Sequence, residues 1–112
     1  MRTAILGTET KRELDLQSYI PPNTTCIISG GEDGVEKLAE RWADDHGYPK
    51  LILSRELMQG WENSVQAIVG VADQVVVLYE QDTERVRAVL DCARQKQKPL
   101  WKHRLTSQKS GS

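Results

Sequence analysis

The stretch CIISGGEDGVEKLAERWA, residues 26–43, carries the pattern that decides the fold. Residues 24–29 are rich in apolar and β-branched side chains and are followed by Gly30 and Gly31, which predicts a buried strand ending in a tight turn. After the glycines, apolar side chains recur every three or four residues, which predicts an amphipathic helix. These side chains are Val35, Leu38, Ala39, Trp42 and Ala43. Strand, turn and helix in this order are typical of parallel α/β sheets.

The same alternation extends over the rest of the chain. The predicted strands are residues 2–6, 24–29, 50–54, 74–79 and a short fifth strand opening at Pro99. The predicted helices are a short one at residues 16–20, the helix closed by Gly47, and the stripes at residues 65–72 and 86–93, whereas residues 56–63 are irregular. Strict alternation predicts a Rossmann-like five-stranded parallel sheet, in the order 3-2-1-4-5, with helices on both faces. We expect this domain to cover residues 1–102 and residues 103–112 to form a polar, disordered tail.

Composition narrows the class of protein. The chain has 112 residues, of which 38% are hydrophobic and 28% charged, as in an ordinary globular domain. Its net charge of −1 gives no support to direct binding of nucleic acid. No apolar run reaches the roughly 20 residues that a membrane helix needs, and the N-terminus lacks a signal-peptide pattern. We therefore expect no membrane association and a cytoplasmic location.

The cysteines and histidines do not predict a metal site. Cys26 falls within a predicted strand and Cys92 within a predicted helix, where each is expected to pack as a small apolar side chain. Zinc sites need closely spaced His and Cys ligands, which His46 and His103 do not supply. We expect no resident metal or cofactor, with Mg²⁺ entering only as a bridge to a phosphorylated ligand.

Ligands of open parallel sheets bind beyond the carboxyl ends of the strands. The loops that follow the predicted strands therefore supply the candidate ligand-binding residues. These are Gly7, Thr8, Ser29, Gly30, Gly31, Gly34, Trp61 and Thr83. Trp61 is a candidate for stacking on a base or lining a subunit contact, with simple packing as the alternative. Arg85 could approach a ligand phosphate from the fourth loop.

The glycine turn, Ser29 to Gly34, has two interpretations. Its glycines let the backbone approach a ligand closely, and the following helix N-terminus favours negative charge. The alternative is a tight turn with no ligand, because the spacing matches neither the phosphate-binding loop nor the dinucleotide fingerprint. Asp33 and Glu36 are spaced as an N-cap and a capping box, a role that also requires no ligand.

Acidic side chains follow the strands at Glu9, Glu32, Asp33, Glu80 and Asp82. At a separation of ~4 Å, one carboxylate opposes a phosphate charge by about 1–4 kcal/mol. This exceeds the gain of about 0.3–1 kcal/mol from a helix dipole. A bare phosphate at the glycine turn is therefore disfavoured, unless the side chains point away or Mg²⁺ bridges them. Capping and solvation of loop charges are the alternative roles of these acids.

The segment SGGEDGVEKLAERWA resembles the SGGARGADRLAERWA-type signature of the SLOG superfamily, which includes YspA-like domains and LOG-type phosphoribohydrolases. The strand and turn AILGT at residues 4–8, the apolar strand after Asp73 and the ending ARQKQKPL extend the resemblance over residues 2–102. It implies a small Rossmann-like domain that binds nucleotides or nucleotide-derived ligands and in some members hydrolyses an N-glycosidic bond. Two departures stand out, since Glu9 replaces a frequent Arg and Glu32-Asp33 replace Ala-Arg.

Three functional hypotheses follow. The first is binding or sensing of a nucleotide or nucleotide-derived small molecule at the carboxyl ends of the strands. The second is an N-glycosidase of nucleoside monophosphates, in which carboxylates stabilise an oxocarbenium-like state. Its candidate catalytic residues are Glu80, Asp82 and Glu32, and the sequence selects none of them. The third is a degenerate domain that serves partner binding or homo-oligomerisation, such as a homodimer.

Overall fold

The sheet has five parallel strands in the order β3-β2-β1-β4-β5. The structure is a computed structural model that describes residues 1–105. The strands are β1 (Arg2–Gly7), β2 (Cys26–Ser29), β3 (Lys50–Ile52), β4 (Gln74–Tyr79) and β5 (Leu100–Arg104). Each neighbouring pair is parallel, with β1 between β2 and β4. The predicted α/β class, strand direction and strand order are confirmed.

Four α-helices connect the strands, together with a 3₁₀ turn at Leu16–Ser18. The helices are α1 (Val35–Asp45), α2 (Arg55–Met58), α3 (Trp61–Val71) and α4 (Glu84–Gln95). Only the three-residue turn stands between β1 and β2, so no α-helix begins directly after β1. The segment predicted to be irregular, residues 56–63, contains most of α2, a single turn capped by the Ser54 side chain, and the first residues of α3, so the prediction is wrong for residues 56–58 and 61–63. Within residues 1–105, no helix combines the length and apolar character needed to cross a membrane.

Two apolar cores lie on opposite faces of the sheet. Alternate strand residues point to opposite faces, so the three central strands, β1, β2 and β4, each contribute to both cores. The first core joins the sheet to α3 and α4 and includes Ala4, Leu6, Ile28, Val75, Val77, Val65, Ile68 and Val89. The second joins it to α1 and includes Ile5, Ile27, Val76, Leu78, Val35, Ala39 and Ala43. Helices therefore cover both faces, as the sequence pattern predicts.

The buried face of α1 differs from the predicted apolar stripe. Its fully or largely buried residues are Val35, Glu36, Ala39, Glu40 and Ala43. Leu38 and Trp42 of the predicted stripe are only partly buried and pack at the margin of the core. The two alanines let α1 approach the sheet closely, and two glutamates are buried beside them. A polar contact must therefore satisfy each carboxylate inside the molecule.

The domain extends past the predicted boundary at residue 102. His103 and Arg104 belong to β5, and the Leu105 N–H donates to the Tyr79 carbonyl at 2.7 Å. The Leu105 side chain is 7% exposed and belongs to the core on the α1 face. The prediction of a tail beginning at residue 103 is therefore wrong for residues 103–105, because a polar edge strand can pair without an apolar pattern. Residues 106–112 of the predicted tail lie outside the described residues.

Candidate functional site

A cavity of 410 Å³ opens at the carboxyl edge of the sheet, beside the ends of β1 and β4. The strand order reverses between these two strands, which is where ligands of such sheets bind. We call it the switch-point cavity. It is lined by Gly7, Thr8, Glu9, Thr10, Arg55, Trp61, Gln81, Thr83, Glu84, Arg85 and Val86. Its volume lies within the range of small-molecule sites, about 300–1,000 Å³.

The wall after β1 depends on a close approach of two backbones. A Cβ placed on Gly7 would lie 2.0 Å from the Leu78 carbonyl oxygen, a separation that no side chain tolerates. The next residue, Thr8, donates its N–H to the same carbonyl at 3.0 Å. Gly7 therefore lets the β1 loop stay hydrogen-bonded to β4 at the floor of the cavity.

The wall after β4 is the N-terminus of α4. Thr83 is the N-cap in an extended conformation, and its hydroxyl accepts the Val86 N–H at 3.1 Å. Glu84 lies in the first turn, where a carboxylate complements the positive end of the helix dipole. The first turn of α4 thus faces the cavity with its positive end and one acidic side chain.

The lining combines one aromatic ring, several hydroxyl groups, the carboxylates of Glu9 and Glu84, and two arginines that are already paired. Trp61 is partly buried and packs against the core on the α3 and α4 face. Arg55 donates to Glu32 through two nitrogens, at 2.8 and 2.9 Å. These hydrogen bonds raise the pKa of Arg55 above its usual range. Arg85, the second guanidinium of the lining, is also paired, with Glu36.

The glycine turn does hold an anion, and the anion is the Glu36 carboxylate of the protein itself. Its Oε1 accepts the N–H groups of Gly30 at 3.0 Å and Glu32 at 3.4 Å, and its Oε2 accepts the Gly7 N–H at 3.5 Å. The Arg85 guanidinium donates to the two oxygens at 2.6 and 3.1 Å. Glu36 is fully buried. Backbone amides and an arginine, the groups that bind a phosphate, here surround a side chain.

Two glycines of the turn make room for this packing. A Cβ on Gly30 would lie 2.8 Å from Glu36 Oε1 and 3.0 Å from an Arg85 nitrogen. Gly34 has a φ of 80°, and a Cβ there would lie 2.2 Å from the Thr8 carbonyl oxygen. That carbonyl accepts the Val35 N–H at 3.0 Å. The first N–H of α1 is therefore used by a protein group.

The predicted capping box is wrong. The N-cap of α1 is Gly34, and no side chain caps the helix. The Glu36 side chain contacts the amides of the preceding turn and Arg85 instead. Burial raises the pKa of Glu36 above its usual range, and the Arg85 guanidinium opposes that increase. Within residues 1–105, Arg85 Nε is a buried donor without a hydrogen-bond partner.

Ser29 is fully buried and serves the packing of α1. Its hydroxyl donates to Glu40 Oε2 at 2.5 Å and accepts the Gly31 N–H at 3.3 Å. Lys37 lies 3.8 Å from the same Glu40 carboxylate. The four candidates of the glycine turn, Ser29, Gly30, Gly31 and Gly34, are absent from the cavity lining, whereas the other four candidates, Gly7, Thr8, Trp61 and Thr83, belong to it.

The three candidate catalytic carboxylates are engaged elsewhere and do not line the switch-point cavity. Glu32 pairs with Arg55. Glu80 accepts the Thr10 hydroxyl at 2.9 Å, and Lys11 approaches it at 3.9 Å. Asp82 lies 3.4 Å from Arg87. The lining acids are Glu9, expected on this edge, and Glu84.

Two residues were missed by the sequence argument. Arg55 comes directly after the predicted strand 50–54, so its position at the carboxyl edge was the available signal. Glu36 lies four residues before Glu40, and the two carboxylates flank the small side chains Ala39 and Ala43 on one helix face. Acids at this spacing beside alanines are a signal of buried, partnered carboxylates, although the partner of Glu36 lies 49 residues away.

Among residues 1–105, no group of three or more His, Cys, Asp or Glu side chains is placed to hold a metal ion. The site therefore rests on a shaped cavity, one aromatic ring, hydroxyl groups and two paired arginines. Comparison of the chain with known proteins found no matching family model, no matching curated protein and no matching solved structure.

Proposed function

We propose that the protein binds a nucleotide or a nucleotide-derived small molecule in the switch-point cavity. The observation that carries this proposal is the position of the cavity beside the ends of β1 and β4, with Trp61 in its wall. Open parallel sheets bind nucleotide-type ligands at this place. The resemblance of the glycine turn to SLOG domains supports the same class of ligand.

The lining residues have the chemistry that a base and a sugar require. An indole ring can stack on the face of any base, and each such contact contributes about 1–3 kcal/mol to the binding free energy. The hydroxyl groups of Thr8, Thr10 and Thr83 can donate to or accept from sugar hydroxyls. The carboxylates of Glu9 and Glu84 accept from a vicinal diol. We therefore place the base at Trp61 and the sugar between the loops that follow β1 and β4.

Thermal denaturation with a panel of nucleosides and nucleotides, with and without Mg²⁺, tests the proposal. A ligand that binds only the folded state raises the melting temperature in a saturable way. We expect at least one member of the panel to do so, and Trp61→Ala to abolish the increase. Trp101→Ala is the matched control, because Trp101 is 41% exposed on β5 and does not line the cavity.

Two results would overturn the proposal. One is the absence of any increase in melting temperature with every nucleoside and nucleotide at millimolar concentration. The other is an equal increase in wild type and Trp61→Ala, which would place the ligand outside the cavity. A loss in Trp101→Ala as large as that in Trp61→Ala would count against the assigned position of the base.

Hydrolysis of the N-glycosidic bond is the second candidate, because two carboxylates, Glu9 and Glu84, line the same cavity. Such hydrolysis uses one carboxylate at the anomeric carbon and a second group that assists the departing base. Chromatography of nucleosides and nucleoside monophosphates incubated with the protein would detect released base. Release that is lost in Glu9→Gln or Glu84→Gln supports this candidate, and the absence of release excludes it for the substrates used.

A further inference from the structure

The glycine turn is a complete anion site whose occupant is covalently part of the chain. Three N–H groups, from Gly7, Gly30 and Glu32, and two guanidinium nitrogens of Arg85 point at the Glu36 carboxylate. The carboxylate is inaccessible to solvent, and the Arg85 side chain is 13% exposed. No second anion fits beside it, because a single Cβ on Gly30 would already lie 2.8 Å from the carboxylate.

We propose that Glu36 is a specificity-determining residue whose carboxylate occupies the anion position of the glycine turn and so excludes a ligand phosphate from it. As far as it concerns the ligand, this inference rests on the proposed function. It narrows the preferred ligand to an unphosphorylated nucleoside-type molecule. Arg85 lines the switch-point cavity, yet both of its terminal nitrogens donate to Glu36, and the Glu36 carboxylate balances the positive charge that would otherwise attract a phosphate there.

The first experiment concerns the anion position alone and uses inorganic phosphate and acetate as probes. In Glu36→Ala the amides and Arg85 lose their acceptor, and the removed side chain leaves space for a small anion. We expect millimolar phosphate or acetate to raise the melting temperature of this variant by about 5 °C relative to chloride at equal ionic strength. Neither anion should raise the melting temperature of the wild type.

Two variants serve as matched controls. Glu40→Ala removes the other buried carboxylate of α1, which accepts from Ser29 and does not contact the amides of the turn. It should lose stability without any rescue by anions. Glu36→Gln keeps the side chain in place and should also show no rescue, since the space stays filled.

If Glu36→Ala does not fold in chloride, its refolding yield in phosphate and in acetate replaces the melting temperature. Recovery of the folded state in either anion supports the assignment. Equal behaviour in all three salts overturns it, as does an equal increase in melting temperature for Glu36→Ala and Glu40→Ala.

The second experiment compares a nucleoside with its 5′-monophosphate by calorimetry. We expect the wild type to bind the nucleoside more tightly, and Glu36→Ala to shift the ratio of the two dissociation constants at least about tenfold towards the monophosphate. An unchanged ratio overturns the specificity role. If no nucleoside of the panel and no 5′-monophosphate binds either protein, the proposed function fails, while the phosphate and acetate rescue still decides whether the turn is an anion site.

Discussion

Gly7 is a residue at which a single added carbon atom would be severely disruptive. A methyl group there would meet the Leu78 carbonyl at 2.0 Å, so β1 and β4 would have to separate. We expect Gly7→Ala to destabilise the protein by about 3 kcal/mol or more. Gly70→Ala is the control, because its methyl group meets nothing within 4 Å and the residue lies on the exposed side of α3. Urea denaturation should show this second variant stabilised by about 0.5–1 kcal/mol.

Asp73 lies at the amino end of the sheet and makes the free energy of unfolding depend on pH. Its carboxylate accepts the Arg2 backbone N–H at 2.8 Å and pairs with the Arg2 side chain. These hydrogen bonds lower the pKa of Asp73 below the ordinary value of 3.8. The folded chain therefore binds this proton less readily than the unfolded chain does. The stability that Asp73 contributes is complete above the ordinary pKa and is lost as the pH falls through the folded-state pKa.

The pH dependence of melting for Asp73→Asn tests this contribution. The melting temperature of the variant should be lower than that of the wild type at neutral pH, and the difference between the two should shrink as the pH falls below about 4. Asp91→Asn, the control, removes an exposed acid on α4 and should leave the dependence of melting temperature on pH nearly unchanged. A constant difference between wild type and Asp73→Asn from pH 7 to pH 2 would contradict the assignment.

Thr83 fixes the start of α4 at the wall of the switch-point cavity. Its hydroxyl accepts the Val86 N–H, so Thr83→Ala leaves that donor without its cap. We expect a loss of about 1 kcal/mol in the free energy of unfolding. Thr83→Ser keeps the hydroxyl and should retain most of the stability. Equal losses in the two variants, measured by urea denaturation, would mean that the methyl group rather than the cap is responsible.

Helices and strands that carry a long apolar pattern could be predicted from the sequence. Those whose position depends on tertiary contacts could not. The strand β4, Gln74–Tyr79, is found as predicted because a strand buried on both faces is a nearly continuous apolar run, here residues 75–79. The helix α2 has only four residues and too little periodicity to predict. The polar end of β5 has no apolar pattern, because it is an edge strand.

The candidate site shows the same division. The rule for parallel sheets predicted the carboxyl edge, and Gly7, Thr8, Trp61 and Thr83 do line its cavity. The glycine turn also had the expected backbone, yet its occupant could not be predicted locally. A glutamate three residues after Asp33 fits a capping box as well as it fits a buried partner of Arg85. Only the fold brings residue 85 to the turn.

The pair of Glu36 and Arg85 connects the two helical layers of the molecule. Glu36 lies in the first turn of α1 on one face of the sheet, and Arg85 lies in the first turn of α4 on the other face. Breaking a buried pair leaves one charge without a partner, which costs about 3–5 kcal/mol. We expect Arg85→Met to destabilise by this amount, and the double variant with Glu36→Gln to lose much less than the sum of the single losses.

A double-mutant cycle by urea denaturation measures this coupling. The pair of Lys50 and Asp44 provides the comparison, because its atoms are 2.7 Å apart but its side chains are exposed. We expect a coupling free energy below about 1 kcal/mol there. If the losses in unfolding free energy of Glu36→Gln and Arg85→Met add up to that of the double variant, the two side chains are not coupled, which would contradict the proposed link between α1 and α4.

The position of the Glu36 carboxylate also has an evolutionary consequence. A codon for glutamate becomes one for alanine, glycine or valine by a change of one base. Each of these substitutions would remove the only side-chain acceptor that the amides of the turn and Arg85 share among residues 1–105. On the proposal made above, one point mutation would open the turn to a free anion, and the reverse mutation would close it again.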